Sequence, residues 1–351
     1  MRHSLRILDS DAHVIEPASV FQRWTQHGQR NPMNLPPTTP MIPCGDVDLL
    51  ADQLAHGFDA ASYLRAMDAQ GIDAVVLYPS IGLFVPYQPD LTPTESRDAC
   101  RSYNEWVAEY CANQPNRLAA VGIVPLADPL LAAAEAATVA DLGLVGVMVR
   151  PNRLYGRQLG DRAYEPLYEA VERSALVLAV HEGLGVRGPT IGDRFSTFVA
   201  RHLCSHPMEQ MAAMAGLIFG GTLQRHPGMR VAFLESGTGW LPYWLHRMDD
   251  HCDWLAETEC NELAIRPSQY FRRQCTICSD PDDELATWVM REVGAERVLW
   301  ASDFPHPDAL FPDAADTFID RTIKAGASTD DLRVSLWDAP VAFYGLSERF
   351  T

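Results

Sequence analysis

Leu176-Val-Leu-Ala-Val-His181-Glu-Gly183 is an unbroken run of five apolar residues that ends in a histidine, a carboxylate and a glycine. A strand covered on both faces has no solvent side, so its apolar residues need not alternate with polar ones. A short continuous run of this kind reads as a buried parallel strand. Seven further segments share the pattern: Leu5–Asp9, Ala74–Tyr78, Ala119–Pro125, Val145–Arg150, Arg230–Glu235, Gln274–Cys278 and Arg297–Asp303. Helical patterns lie between them, over Ala60–Gln70, Glu95–Asn113, Pro129–Asp141, Tyr164–Ser174, His206–His226 and Asp282–Val293. Eight strand–helix units predict an α/β protein, a single (β/α)8 TIM barrel over residues 1–351. A doubly wound sheet is the alternative, because periodicity does not reveal strand order.

The alternation breaks once. Glu16 to Gly57 holds Asn31-Pro-Met-Asn-Leu-Pro-Pro-Thr-Thr-Pro40, whose prolines exclude regular structure. A long inserted loop after strand one is therefore expected, acting as a lid or as an arm toward a partner.

The chain has 351 residues, 47% hydrophobic and 21% charged, with a formal charge of −18. That composition is globular. Its acidity argues against nucleic acid and anionic membrane surfaces as partners, though not against a small anionic substrate. No apolar stretch reaches the ~18 residues of a membrane span. The start of the chain lacks the apolar core of a signal peptide, and eight irregularly spaced cysteines make no disulfide scaffold, so a cytoplasmic location is expected. Cys275 and Cys278 form a lone CxxC and read as reduced thiols in a buried strand.

Barrel enzymes place their chemistry where the strands end. Asp11 and His13 close strand one, two residues apart and so on one face of an extended segment. His181 ends strand five, Glu235 strand six and Asp303 strand eight. Each alone reads as a helix cap or a hydrogen-bonded rim residue. Together they aim carboxylates and imidazoles at one rim, where clustered carboxylates repel unless a cation joins them. Imidazole with carboxylate suits Zn, Mn or Fe. Arg150, at the end of strand four, fits a substrate carboxylate, whereas Arg187 and Arg194 read as surface residues. Phe84 to Tyr87 and Trp240 to Trp244 offer apolar pocket walls, with Trp244 reading as helix core. His306 lies close enough to Asp303 to touch it or the substrate. His202 and His206 share a helix face but read as solvated, and His246 and His251 as peripheral. No phosphate loop and no nucleophile elbow is present.

Asp11-Ala-His13-Val-Ile-Glu16-Pro17, His181-Glu-Gly183 and Ser302-Asp303-Phe-Pro-His306 resemble the amidohydrolase superfamily. The branch they point to includes 2-amino-3-carboxymuconate 6-semialdehyde decarboxylase and aromatic-acid decarboxylases. The resemblance implies metal ligands at Asp11, His13, His181 and Asp303. Two positions depart from the family pattern: Asp11 stands for the first histidine of the usual HxH, and Glu235 for a strand-six histidine. Strand four also lacks the lysine that bridges two metals, which argues for one ion, although Glu235 remains able to bridge or bind a second.

The expected function is a metal-dependent lyase or hydrolase acting on a carboxylated, cyclic or bulky apolar small molecule, with decarboxylation favoured by the resemblance. Asp303 then serves as ligand and proton acceptor, and Glu235 as general acid or base. The carboxylate-rich set, with Glu16 in reserve, leaves open a non-haem diiron oxygenase. A non-catalytic barrel that has lost its metal is a third alternative. Relatives suggest a homo-oligomer.

Overall fold

A computed structural model describes residues 4–25, 48–183, 190–306 and 309–350. Eight parallel strands follow one another in chain order: β1 (Leu8–Val14), β2 (Ala74–Pro79), β3 (Leu118–Ile123), β4 (Gly146–Val149), β5 (Val177–Val180), β6 (Arg230–Phe233), β7 (Cys275–Ser279) and β8 (Val298–Trp300). β1 then meets the far side of the sheet. Asp303 donates its backbone N–H to Asp11 O at 3.0 Å, and His13 donates to Phe304 O at 2.7 Å. These bonds join the first strand to the segment after the last, giving a barrel rather than a doubly wound sheet.

The apolar runs became strands because both faces are covered. Every strand residue except Arg230 is buried. The helices start and stop where side chains satisfy their ends. The Asp59 carboxylate accepts Ser62 N at 2.8 Å before Ala60–Gln70, and Gly71 closes that helix at φ 73°. Asp128 caps Pro129–Asp141 in the same way.

The expected Leu5–Asp9 strand is displaced: β1 runs through Asp11 and His13 to Val14, with a register shift between Asp9 and Ala12. Polarity suggested an end where none occurs. Asp9 is buried within the strand because its Oδ1 accepts Ser302 N at 3.0 Å and Asp11 N at 3.3 Å. Helices that sequence reading did not separate include Leu241–Trp254 and Pro267–Gln274 before β7, and Ala314–Lys324 after β8. Of the expected insertion, Ala18–Thr25 and Ala51–Ala55 are helical, while Asn31 to Pro40 lies outside the described residues. Among the described residues no helix is long and apolar enough to cross a membrane. Cys275 and Cys278 are buried, unbridged thiols of β7.

Candidate metal centre

The rim of β1, β5 and β8 gathers four of the expected residues. His13 Nδ1 lies 2.9 Å from Pro79 O on β2, an arrangement that makes Nδ1–H the donor and turns the Nε2 lone pair into the barrel mouth. His181 follows β5 and does the same. Its Nδ1 is 2.7 Å from Glu182 O, and the Tyr78 ring stacks on it at 5.7 Å. His181 Nε2 then lies 3.5 Å from Asp11 Oδ2, and His13 Nε2 lies 3.7 Å from Asp11 Oδ1. Asp303 Oδ1 is 3.2 Å from His13 Nε2.

Asp11 Oδ1, His13 Nε2 and His181 Nε2 are all buried and make no hydrogen bond. A buried polar atom without a partner costs about 1–3 kcal/mol, and here three face one another. Asp11, His13 and His181 offer donor atoms within 4.8 Å of each other, so a divalent cation fits them. One carboxylate oxygen and two imidazole nitrogens, each imidazole oriented by a backbone carbonyl, form a donor set suited to Zn, Mn or Fe.

Local backbone aims Asp303, and with it Glu235, at this mouth. Glu235 and Asp303 follow their strands with φ of 45° and 56°, in the left-handed region that non-glycine residues rarely adopt. Glu235 Oε2 reaches 3.4 Å from His181 Nε2. Asp303 is buried, which opposes ionisation, yet His306 and His13 hold its carboxyl well below the usual range. His306 Nδ1 is 2.8 Å from Asp303 Oδ1, its Nε2 is 3.1 Å from Ser80 Oγ, and its ring stacks on His13 at 3.9 Å. Burial, and then the neighbouring His306, lower His13, which favours the neutral ligand form. Burial pulls His181 the same way, but Asp11 and Asp303 more than offset it, so its pKa rises.

Arg150 is fully buried at the end of β4, and its Nη2 lies 3.3 Å from Glu182 Oε2, also fully buried. Its Nε and Nη1 make no hydrogen bond, and its guanidinium sits 5.9 Å from the Phe84 ring centre. Part of the fork is therefore committed to Glu182, and Nε and Nη1 are left without a protein partner.

Other expectations fare differently. Glu16 belongs to none of the candidate clusters. Its Oε1 accepts Gly82 N at 2.8 Å and its Oε2 accepts Ile81 N at 2.9 Å, so it staples the turn after β2 instead of serving as a reserve ligand. Arg187 lies outside the described residues, and Arg194 is exposed. Trp244 donates Nε1–H to Met211 O at 3.0 Å between two helices. His246 and His251 are in none of the candidate clusters.

His206 departs most from its reading as a solvated residue. It is buried, and its Nδ1 lies 3.6 Å from Glu235 Oε1. Burial and the neighbouring His202 push its pKa well down. His202, His206, Glu235, Asp280, Ser302 and Asp303 line a cavity of about 360 Å³. Asp280 was missed altogether, although it directly follows β7, the same strand-end position that singled out His181.

The amidohydrolase family pattern matches residues 9–346. Gamma-resorcylate decarboxylase of Polaromonas sp. is 26% identical over 274 residues, which is 74% of this chain and 81% of that enzyme. The 2-amino-3-carboxymuconate-6-semialdehyde decarboxylase of Dictyostelium discoideum is 24% identical over 61% of this chain, and the match spans 58% of that enzyme's length. A dihydroxybenzoic acid decarboxylase from Polaromonas sp., solved with bound manganese and the inhibitor 2-nitroresorcinol, has a TM-score of 0.71 at 20% identity. The match covers 98% of this chain and 99% of that one.

Proposed function

The chain belongs to the amidohydrolase family, and from that membership we propose that it is a metal-dependent carboxy-lyase that removes CO2 from an aromatic carboxylate. The observation that carries the reading is the set of three buried, unbonded donor atoms on Asp11, His13 and His181 at one barrel mouth. The names of the related decarboxylases support the substrate class and favour decarboxylation over hydrolysis.

Asp11, His13 and His181, with Asp303 beside them, would hold the cation. When bound, it supplies a Lewis acid for the oxygens of the substrate. The protein's own groups do the rest. Arg150 Nε and Nη1, which have no protein partner, would donate to the substrate carboxylate, while Glu182 holds the other side of the fork. Asp303 Oδ2 carries a proton to the ring carbon. The bond from that carbon to the carboxyl group breaks, its electron pair stays on the ring to meet the proton, and CO2 leaves. Delivery leaves Asp303 in its ionised resting form; the proton it delivers is taken up beforehand from solvent through His306 Nδ1–H, 2.8 Å from Asp303 Oδ1, while Ser80 Oγ holds His306 Nε2.

The test is to incubate Mn-loaded protein with hydroxybenzoates and to measure both CO2 release and loss of substrate absorbance. Decarboxylation that disappears on chelation supports the reading. Amide or ester hydrolysis without CO2 release overturns it. Zinc, manganese or iron as the resident metal, and a cytoplasmic homo-oligomer, are proposals that metal analysis, cell fractionation and light scattering test.

A further inference from the structure

The helix Phe198–Phe219 carries His202 and His206 one turn apart, with ring centres 4.5 Å from each other. Together with Glu235 they offer donor atoms within 4.8 Å of one another. Glu235 divides its carboxylate between two groups: Oε1 lies 3.6 Å from His206 Nδ1, and Oε2 lies 3.4 Å from His181 Nε2. Both separations exceed the ~2.7–3.2 Å of a good hydrogen bond, and both are typical of two ligands sharing one ion. His206 is buried, and its Nε2 has no hydrogen-bond partner.

We infer that His202, His206 and Glu235 form a second divalent-cation site beside the first, with Glu235 bridging the two. The inference rests on the proposed first centre and deepens it. A carboxylate that gives one oxygen to each ion holds them about 3.5–4 Å apart, the spacing used to grip two oxygens of one substrate. Such a substrate is a carboxylate with a neighbouring hydroxyl, as in an ortho-hydroxy aromatic acid. The cavity lined by His202, His206, Glu235, Asp280 and Asp303 opens on this side of the centre. Glu235 thereby leaves proton transfer and becomes a ligand, and the proton steps fall to Asp303 and His306.

Metal-free full-length protein is titrated with Mn2+, following bound metal by mass spectrometry and its electron paramagnetic resonance. The expected result is two ions per chain, the second converting the signal of an isolated Mn2+ into that of an exchange-coupled pair. His202→Ala and His206→Gln each weaken the second ion by about tenfold or more. Both variants keep the first ion and its isolated signal, which also shows that they fold. Asp11→Ala removes the first. If the wild type stops at one ion that only Asp11→Ala removes, the second site is refuted and the first centre stands. If both histidine variants keep the coupled pair, the assignment of these ligands is wrong. If the wild type binds no ion, both readings fail.

Discussion

Replacing Arg150 by methionine removes the guanidinium that faces a buried carboxylate. Arg150 and Glu182 are both fully buried, with Nη2 at 3.3 Å and 3.4 Å from the two carboxylate oxygens. At that separation and an effective dielectric of about 20, the attraction is about 5 kcal/mol. Removing both ions from water costs several kcal/mol each, so the intact pair is close to neutral relative to an apolar pair. Arg150→Met abolishes the attraction but leaves Glu182 desolvated, and should cost about 3–5 kcal/mol. Arg150→Met combined with Glu182→Leu should recover most of that loss, giving a coupling energy of about 3 kcal/mol. Guanidinium denaturation of the metal-loaded wild type, both single variants and the double variant measures the cycle. The same proteins report function: Arg150→Met should raise KM by about tenfold or more, and the double variant should not restore it. A single-variant cost below about 1 kcal/mol, or strictly additive effects, would show that the two side chains do not form the buried bridge described.

Asp303→Asn should lower kcat by about 10²- to 10⁴-fold with little change in KM, read by steady-state CO2 release. Glu16 is held by burial at about 7 against an ordinary 4.5, despite three backbone N–H donors. Its folded pKa is raised, so its contribution is complete below pH 4.5 and is lost as pH rises through about 7. The stability gap between wild type and Glu16→Gln should therefore shrink by about 3 kcal/mol between pH 4.5 and 8, and a gap that widens would contradict the burial argument. His226 lies 3.0 Å from Glu165 and 3.1 Å from Glu172, away from the barrel mouth. His226→Ala should cost about 1–3 kcal/mol in denaturation while leaving Mn2+ affinity unchanged.

How much of this was legible in the sequence depends on how each residue is buried. β5 could be read from Leu176 to Val180 because a strand covered on both faces writes its burial as unbroken hydrophobicity. β1 could not, because its polar residues Asp9, Ser10, Asp11 and His13 are all buried, in an interior that only the folded barrel supplies. Asp11, His13, His181 and Asp303 were legible because strand ends converge by topology, whatever the helices do. His206 was not. Whether a helix face meets water or a barrel mouth depends on how Phe198–Phe219 packs, and spacing of four carries no such information. Glu16 was misjudged for the converse reason. Its place beside His13 suggested a ligand, but its oxygens are taken by the backbone of Ser80 to Gly82.

Asp11, His13 and His181 are expected to meet around one cation, and anomalous diffraction from crystals equilibrated with Mn2+ would locate it. A peak about 2.0–2.3 Å from Asp11 Oδ1 or Oδ2, His13 Nε2 and His181 Nε2, absent in Asp11→Ala crystals, is the expected result. Mn2+ seated elsewhere, or these three side chains pointing apart with no peak between them, would contradict it.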